Sequence, residues 1–325
     1  VAHFDLPLSE LREYRPEIAT PTDLAQFWAR TLDETRSFPL NAALEPIENG
    51  YALVDSYDVT FSGFGGHRIK GWLHVPAGTA HPLPTVVEYL GYSRGRGLVH
   101  QHVEFALAGY AHFTMDTRGQ GWGGSTGDTS DPTPDAGQRS APGQMTRGIL
   151  DPDTYYYRRV FADAVRAVEA ARSFALVDSD RVVVTGISQG GGIAIAAAAL
   201  TEGLLGAAVD VPFLCHFERA VTITDQDPYF EIVRYLRRNR GDVEQAHRTL
   251  SYFDGAALAP LATAPTLFSV ALMDAICPPS TVFAAYNHWG GGSTRIEVYP
   301  FNEHEGGQEH HHVAKSAWLR ELFDA

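Results

Sequence analysis

The pattern of apolar positions changes character at Pro84. Before it, the chain reads as an antiparallel entry into a mixed sheet. A helical segment over residues 23–32 is followed by strands at 56–62 and 68–75, with the turn Gly63-Phe64-Gly65-Gly66 between them. After it come apolar runs at 85–90, 110–115, 181–185, 207–211, 266–271 and 295–299, separated by helical or glycine-rich segments. Such runs, alternating with helices, predict a mostly parallel α/β sheet covered on both faces. The segment 154–173 carries Val160, Phe161, Ala164, Val165 and Val168 at the spacing of one buried helical stripe. A terminal helix is expected over 313–323.

Two stretches interrupt the alternation. Residues 119–148 are rich in Gly, Pro, Asp and Thr and are expected to form a long surface loop of the kind that often serves function. Residues 212–260 read as a helical insertion, and their basic cluster from Arg234 to Arg240 as a solvated face or subunit contact. The whole chain, 1–325, is expected to be a single α/β domain, with residues 1–50 as an N-terminal extension.

Composition narrows the partners. A formal charge of −14 would repel the phosphates of nucleic acid and anionic lipid, which points to a neutral or weakly charged small substrate. No stretch reaches the ~18 consecutive apolar residues of a membrane span. The opening residues lack a basic segment followed by an apolar core. The two cysteines, Cys215 and Cys277, are expected to be buried free thiols, and a reducing, cytoplasmic setting is expected with them.

The chemistry concentrates at Gly186-Ile187-Ser188-Gln189-Gly190, which follows a β-branched run and opens into a helix-forming one. Strand, tight turn and helix in that order form a nucleophile elbow of α/β-hydrolase type. Flanking glycines remove side chains that would collide there, and the helix N-terminus aims its unpaired N–H groups at a developing negative charge. A serine hydroxyl needs an imidazole to take its proton and a carboxylate to orient that imidazole. In the chain order serine, acid, histidine, Asp274 and His304 follow two of the predicted strands. Asp210, at another strand end, and Asp254 compete for the acid's place, and Asp274 is preferred because its strand is next to that of the histidine in chain order. His216, His288 and the triplet His310-His311-His312 are weaker candidates for the base, and the triplet reads as a solvated helix face rather than a metal site. The oxyanion donors are expected to be the backbone N–H groups of Gln189 and of Tyr92, in the loop Leu90-Gly91-Tyr92-Ser93-Arg94-Gly95. The role of the Tyr92 ring stays open. No cofactor and no metal are expected.

Arg118-Gly119-Gln120, the elbow around Ser188, and His304-Glu305 together resemble the acetyl xylan esterase and cephalosporin C deacetylase family, the seventh carbohydrate esterase family. The resemblance extends through residues 145–152, 154–160, 210–216 and 277–283, and so covers nearly the whole chain. It implies an α/β-hydrolase fold and a serine esterase. The substrates implied are short acetylated xylo-oligosaccharides, other small acetylated sugars and cephalosporin C. Carried over residue by residue, it makes Ser188 the nucleophile, His304 the base, Asp274 the acid, and Gln189 and Tyr92 the oxyanion hole. Arg118, Gly119 and Gln120 become support for the active-site loops. It also implies a cytoplasmic homo-hexamer, a trimer of dimers whose sites open into a central cavity. Ile187 stands where the family often has glycine or alanine, and is expected to narrow the packing beneath the elbow. Two other readings compete: a small prolyl-oligopeptidase-like peptidase, and a hydrolase-fold binding module without catalysis.

Overall fold

The computed structural model describes residues 2–132 and 142–324. Strands β1 (Ala43–Ile47), β2 (Val54–Ser62), β3 (Arg68–Pro76), β4 (Leu83–Tyr89), β5 (Ala111–Met115), β6 (Val177–Ile187), β7 (Gly206–Asp210), β8 (Thr266–Ala271) and β9 (Thr294–Tyr299) form one sheet. Their spatial order is β1-β2-β3-β5-β4-β6-β7-β8-β9. The first three strands and β5 pair antiparallel, and every pairing from β5 through β9 is parallel. The strands anticipated from the apolar runs are all present, within a few residues of their expected ends. β1 was not anticipated, because Ala43-Leu44-Glu45-Pro46-Ile47 has little apolar signal and is mostly exposed.

The parallel strands place all their carboxyl ends on one edge, where open α/β sheets build their sites. β9 departs from the expectation of burial on both faces. As the last strand of the sheet it alternates between intermediate and exposed positions, and Arg295 and Glu297 fit that half-covered place.

The helices are α1 (Leu8–Glu13), α2 (Leu24–Arg36), α3 (Glu104–Leu107), α4 (Tyr156–Ser173), α5 (Gln189–Leu200), α6 (Phe217–Ile223), α7 (Tyr229–Arg238), α8 (Val243–Ser251), α9 (Gly255–Leu258), α10 (Pro279–Asn287) and α11 (Gln308–Asp324). α5 is apolar all round and buried through Ala198, as expected of a helix enclosed on every side. α4 is also buried on nearly every face rather than along one stripe. Its polar side is covered by the N-terminal segment: Trp28 stacks on Phe161, Arg158 donates to Thr31 Oγ1 and Glu34, and Arg166 donates to the carbonyls of Phe38 and Ser62. Periodicity could not reveal this, since arginines whose donors are all satisfied internally look the same in sequence as solvated ones.

The expected surface loop holds only in part, for the same reason: its described residues form no helix or strand and alternate exposed with half-buried positions over 121–128. Of residues 119–148, positions 133–141 lie outside the described residues, but Gln120, Thr129, Gln144, Met145 and Thr146 are buried. The Asp131 side chain is only 2% exposed, held against Arg118 and Arg159. Residues 212–260 carry α6 to α9, as the helical reading expected. Arg237, Arg238 and Arg240 are exposed, and Arg234 pairs with Asp227 at 2.7 Å. Both cysteines are free and buried. Among the described residues no helix is long and apolar enough to cross a membrane.

Candidate active site

Ser188 sits between β6 and α5 with φ 59° and ψ −117°, a conformation most side-chain-bearing residues avoid. The turn is possible only because its flanks are bare. A Cβ on Gly186 would lie 2.3 Å from the Gly190 carbonyl carbon, and one on Gly190 would lie 2.0 Å from the Tyr89 carbonyl oxygen. The start of α5 is thereby pressed against the end of β4. Ile187 is 41% exposed and lines the cleft in front of Ser188, so the expectation that it would crowd the space beneath the elbow is corrected. Directly before the serine, its side chain faces the cleft and not the core.

The loops after β8 and β9 complete the arrangement. His304 lies 2.9 Å through Nε2 from Ser188 Oγ and 2.8 Å through Nδ1 from Asp274 Oδ2. Asp274 is fully buried, and its other oxygen accepts the N–H groups of Ile276 and Cys277 at 2.8 and 2.9 Å. Those two bonds fix the carboxylate's orientation. Asp210, the competing acid, is engaged elsewhere. It accepts from His311 Nε2 at 2.8 Å and from Lys315 at 2.6 Å, both on α11, while only its backbone carbonyl meets the elbow, at Ser188 N–H. Burial alone would raise the Asp210 pKa, but the Lys315 and His311 charges outweigh it and bring it down to about 2. The solvated-face reading of the histidine triplet therefore holds for exposed His310 and fails for His311, which is buried against this carboxylate.

Tyr92 follows β4 and lines a cleft of about 540 Å³ together with Ser188 and His304. Gln189, as the first residue of α5, has a backbone N–H with no partner within the helix. Its fully buried side chain donates to Leu90 O at 3.0 Å and accepts from Tyr157 and from Gln120 Nε2. Gln120 in turn accepts the Ser93 N–H at 2.7 Å. One glutamine thus ties the Tyr92 loop to the elbow. Arg118 is fully buried, bound through two nitrogens to Asp163 at 2.5 and 2.7 Å, and accepts the Tyr156 hydroxyl at its carbonyl. Gly119, at φ 65°, turns the chain between these two anchors. All eight expected site residues thus fall in the hydrogen-bonded cluster of Ser188, His304 and Asp274 or in the loops and anchors that surround it.

The model of the acetyl xylan esterase family matches residues 1–322. This chain belongs to the acetyl xylan esterase family. It is a carboxylic ester hydrolase of α/β fold. An acetyl xylan esterase from Paenibacillus sp. R4 is 40% identical and superposes with a TM-score of 0.90 over 97% of this chain and 99% of that one. Acetyl xylan esterase 1 from Thermoanaerobacterium sp. JW/SL YS485 is 33% identical, with a TM-score of 0.88 over 98% and 100%. The acetyl esterase Axe7A of Xylanibacter ruminicola is 24% identical over 321 residues, 94% of this chain and 68% of that protein. An acylaminoacyl peptidase of Pyrococcus horikoshii, 16% identical with a TM-score of 0.58 over 89% of this chain and 42% of that one, shares the fold alone.

Features that the sequence reading of this family member missed lie around the cleft. The carboxyl of Glu231 on α7 meets the Tyr92 hydroxyl. It falls on the helical stripe that includes Ile232 and Tyr235, and an acid on an apolar stripe was the available signal. Glu88 accepts from His102 at 2.9 Å and His112 at 3.0 Å. Burial opposes its charge, but the two imidazoles hold it well below the usual carboxylate range, and His102 is raised in return despite its own burial. Among the described residues, two groups bring potential metal-ligating atoms within 4.8 Å of one another: Asp274, Cys277 and His304, and Glu88, Glu104 and His112. In the first, Asp274 and His304 already hydrogen-bond each other, and burial with the Asp274 charge pushes the Cys277 thiol well up. In the second, Glu88 is already paired.

Proposed function

We propose that the chain is a serine esterase that removes acetyl groups from short acetylated xylo-oligosaccharides, other small acetylated sugars and cephalosporin C, with Ser188, His304 and Asp274 as its triad. The observation that carries this reading is His304 standing within hydrogen-bond distance of both Ser188 Oγ and Asp274 Oδ2. With Nδ1 protonated, the imidazole donates to Asp274 and accepts the serine proton at Nε2. Ser188 Oγ then attacks the acetyl carbonyl, and the oxyanion that forms is met by the N–H groups of Gln189 and Tyr92 at the positive end of α5. Collapse expels the sugar oxygen, which takes the proton from His304 Nε2 and leaves an acetyl-serine. Water, activated by the same nitrogen, attacks that ester and releases acetate and free Ser188.

Ile187, Pro228 and Ile276 supply apolar surface for a small acyl group, while the open side of the cleft leaves room for a sugar. The reading extends to a single domain over 1–325 with 212–260 as an insertion beside the site, a cytoplasmic location, and a homo-hexamer. Fluorophosphonate labelling followed by peptide mapping tests the core of it. One label per chain on Ser188, with parallel loss of p-nitrophenyl acetate hydrolysis, is the expected result. Full activity after labelling, or a label on another residue, would refute the assignment.

A further inference from the structure

Glu231 lies on the apolar side of α7 with Ile232 and Tyr235, and is only 4% exposed. Its carboxyl draws together three segments far apart in the chain. Tyr92, from the loop after β4, directs its hydroxyl to the two oxygens at 2.8 and 3.0 Å. Met145 donates its backbone N–H at 3.0 Å. The Gln144 N–H reaches the Tyr92 hydroxyl from the other side at 2.6 Å. Gly143, at φ 103°, sits so close that a Cβ there would lie 2.2 Å from the carboxyl atoms. A buried carboxyl is an expensive way to fill space, since an apolar residue of similar volume would carry no desolvation cost. Here burial pushes Glu231 up to about 7, against the lowering effect of the Met145 N–H and the Tyr92 hydroxyl. Asp227 adds to the rise and Arg234 opposes it, while the buried phenols of Tyr155 and Tyr157 lie near the same charge.

The Tyr92 ring is otherwise held by edge contacts with Phe213, at 6.3 Å between centroids, and with Trp122, at 5.7 Å. Trp122 is itself 56% exposed and forms a weak wall. At the backbone, the next residue is fixed by Gln120, which accepts the Ser93 N–H. Tyr92 is therefore clamped at both ends: by Gln120 beside its own peptide and by Glu231 at the tip of its ring. An oxyanion donor acts only when its N–H is already aimed where the charge develops, and an error of about 1 Å can cost on the order of 100-fold in rate.

We propose that Glu231 is a positioning residue for ester hydrolysis, fixing through the Tyr92 hydroxyl the loop whose Tyr92 backbone N–H meets the oxyanion. This rests on the oxyanion-hole assignment made under the proposed function. Glu231→Ala and Tyr92→Phe break the same clamp from opposite ends, and both keep the backbone N–H. Each is expected to lower kcat for p-nitrophenyl acetate by roughly 10- to 100-fold with KM changed less than about 3-fold, because the donor's contribution grows in the transition state. The double variant should be no slower than the worse single one, since the two changes remove one interaction. Glu231→Gln, which keeps an acceptor for the Tyr92 hydroxyl, should recover part of the rate.

Thermal melts and Ser188 labelling stoichiometry accompany each variant. A folded Tyr92→Phe with kcat within 2-fold of the parent overturns the proposal, even if its melting temperature falls. So do additive losses in the double variant. If Glu231→Ala fails to fold, Tyr92→Phe and Glu231→Gln decide the matter by the same criteria. A Ser188→Ala variant that kept its activity would instead bring down the triad reading beneath.

Discussion

Asp274 follows β8 and Asp210 ends the neighbouring strand β7, and their hydrogen-bond partners give them different work. Asp274 is held by two backbone N–H groups and faces His304, so Asn in its place should disturb the imidazole tautomer and lower kcat by roughly 10⁴-fold while leaving the melting temperature nearly unchanged. Asp210 ties α11 to the sheet, and Asp210→Asn would leave Lys315 without its buried counter-charge. That variant should turn over within a few-fold of the parent but lose about 3–5 kcal/mol of stability. Kinetics and urea unfolding on the two variants check both statements, and a reversed pattern would move the acid to Asp210. Because the folded Asp210 pKa is depressed to about 2, its contribution is present above the unfolded value and is lost as pH falls from roughly 4 to 2. His311 and Lys315 on α11 and Tyr299 on β9 are the titratable groups facing it. The stability gap between parent and Asp210→Asn should therefore narrow over that interval. Ser188→Ala should lose on the order of 10⁶-fold in turnover and fold normally, since only the nucleophile is removed.

At the scale of elements, the elbow is a packing solution as much as a chemical one. Gly190 lets α5 start against the end of β4, and Gly190→Ala must push the Tyr89 carbonyl away from a Cβ 2.0 Å distant. Because that carbonyl leads directly into the Tyr92 loop, the shift is expected to lower kcat along with stability, the latter by roughly 1–3 kcal/mol. Circular-dichroism melts and acetate release on the same preparation measure the two together. Unchanged kcat in a destabilised variant would separate the elbow's packing from the loop's aim. The elements here were legible where one physical signal dominated: the β-branched run 181–185 became part of β6, the apolar run 266–271 became β8, and an alanine-rich segment became α5. They were not legible where polar side chains are satisfied inside the protein. Arg118, Arg158, Arg166 and Asp131 have the composition of a surface and the environment of a core, because their partners come from segments tens of residues away.

For the whole molecule, the expected assembly predicts behaviour beyond the single site. If sites open into an enclosed cavity, gel filtration should give a species far larger than the 35.5 kDa chain, and deacetylation rates should fall steeply as acetylated xylo-oligosaccharides lengthen. A monomer that deacetylates polymeric xylan as fast as short fragments would remove both the assembly and the size limit. Dialysis against a chelator should leave the activity unchanged, because in the proposed mechanism serine, imidazole and backbone donors together supply nucleophile, base and electrostatic stabilisation. Activity lost to the chelator and restored by zinc would direct attention to the cluster of Glu88, Glu104 and His112.

The sequence by itself determined the alternation of strands and helices, the bare flanks of Ser188 and the order in which Asp274 and His304 follow it. These are local properties, fixed by side-chain size, periodicity and the demands of a tight turn. Tertiary structure alone decided that Asp210, the competing acid, turns to α11 instead of the imidazole, that His311 is buried while His310 is not, and that Ile187 looks into the cleft. It also decided that Glu231 reaches Tyr92 across 139 residues of chain. A carboxyl or imidazole takes its role from the charges and donors around it, and those are supplied by segments that only the fold brings together.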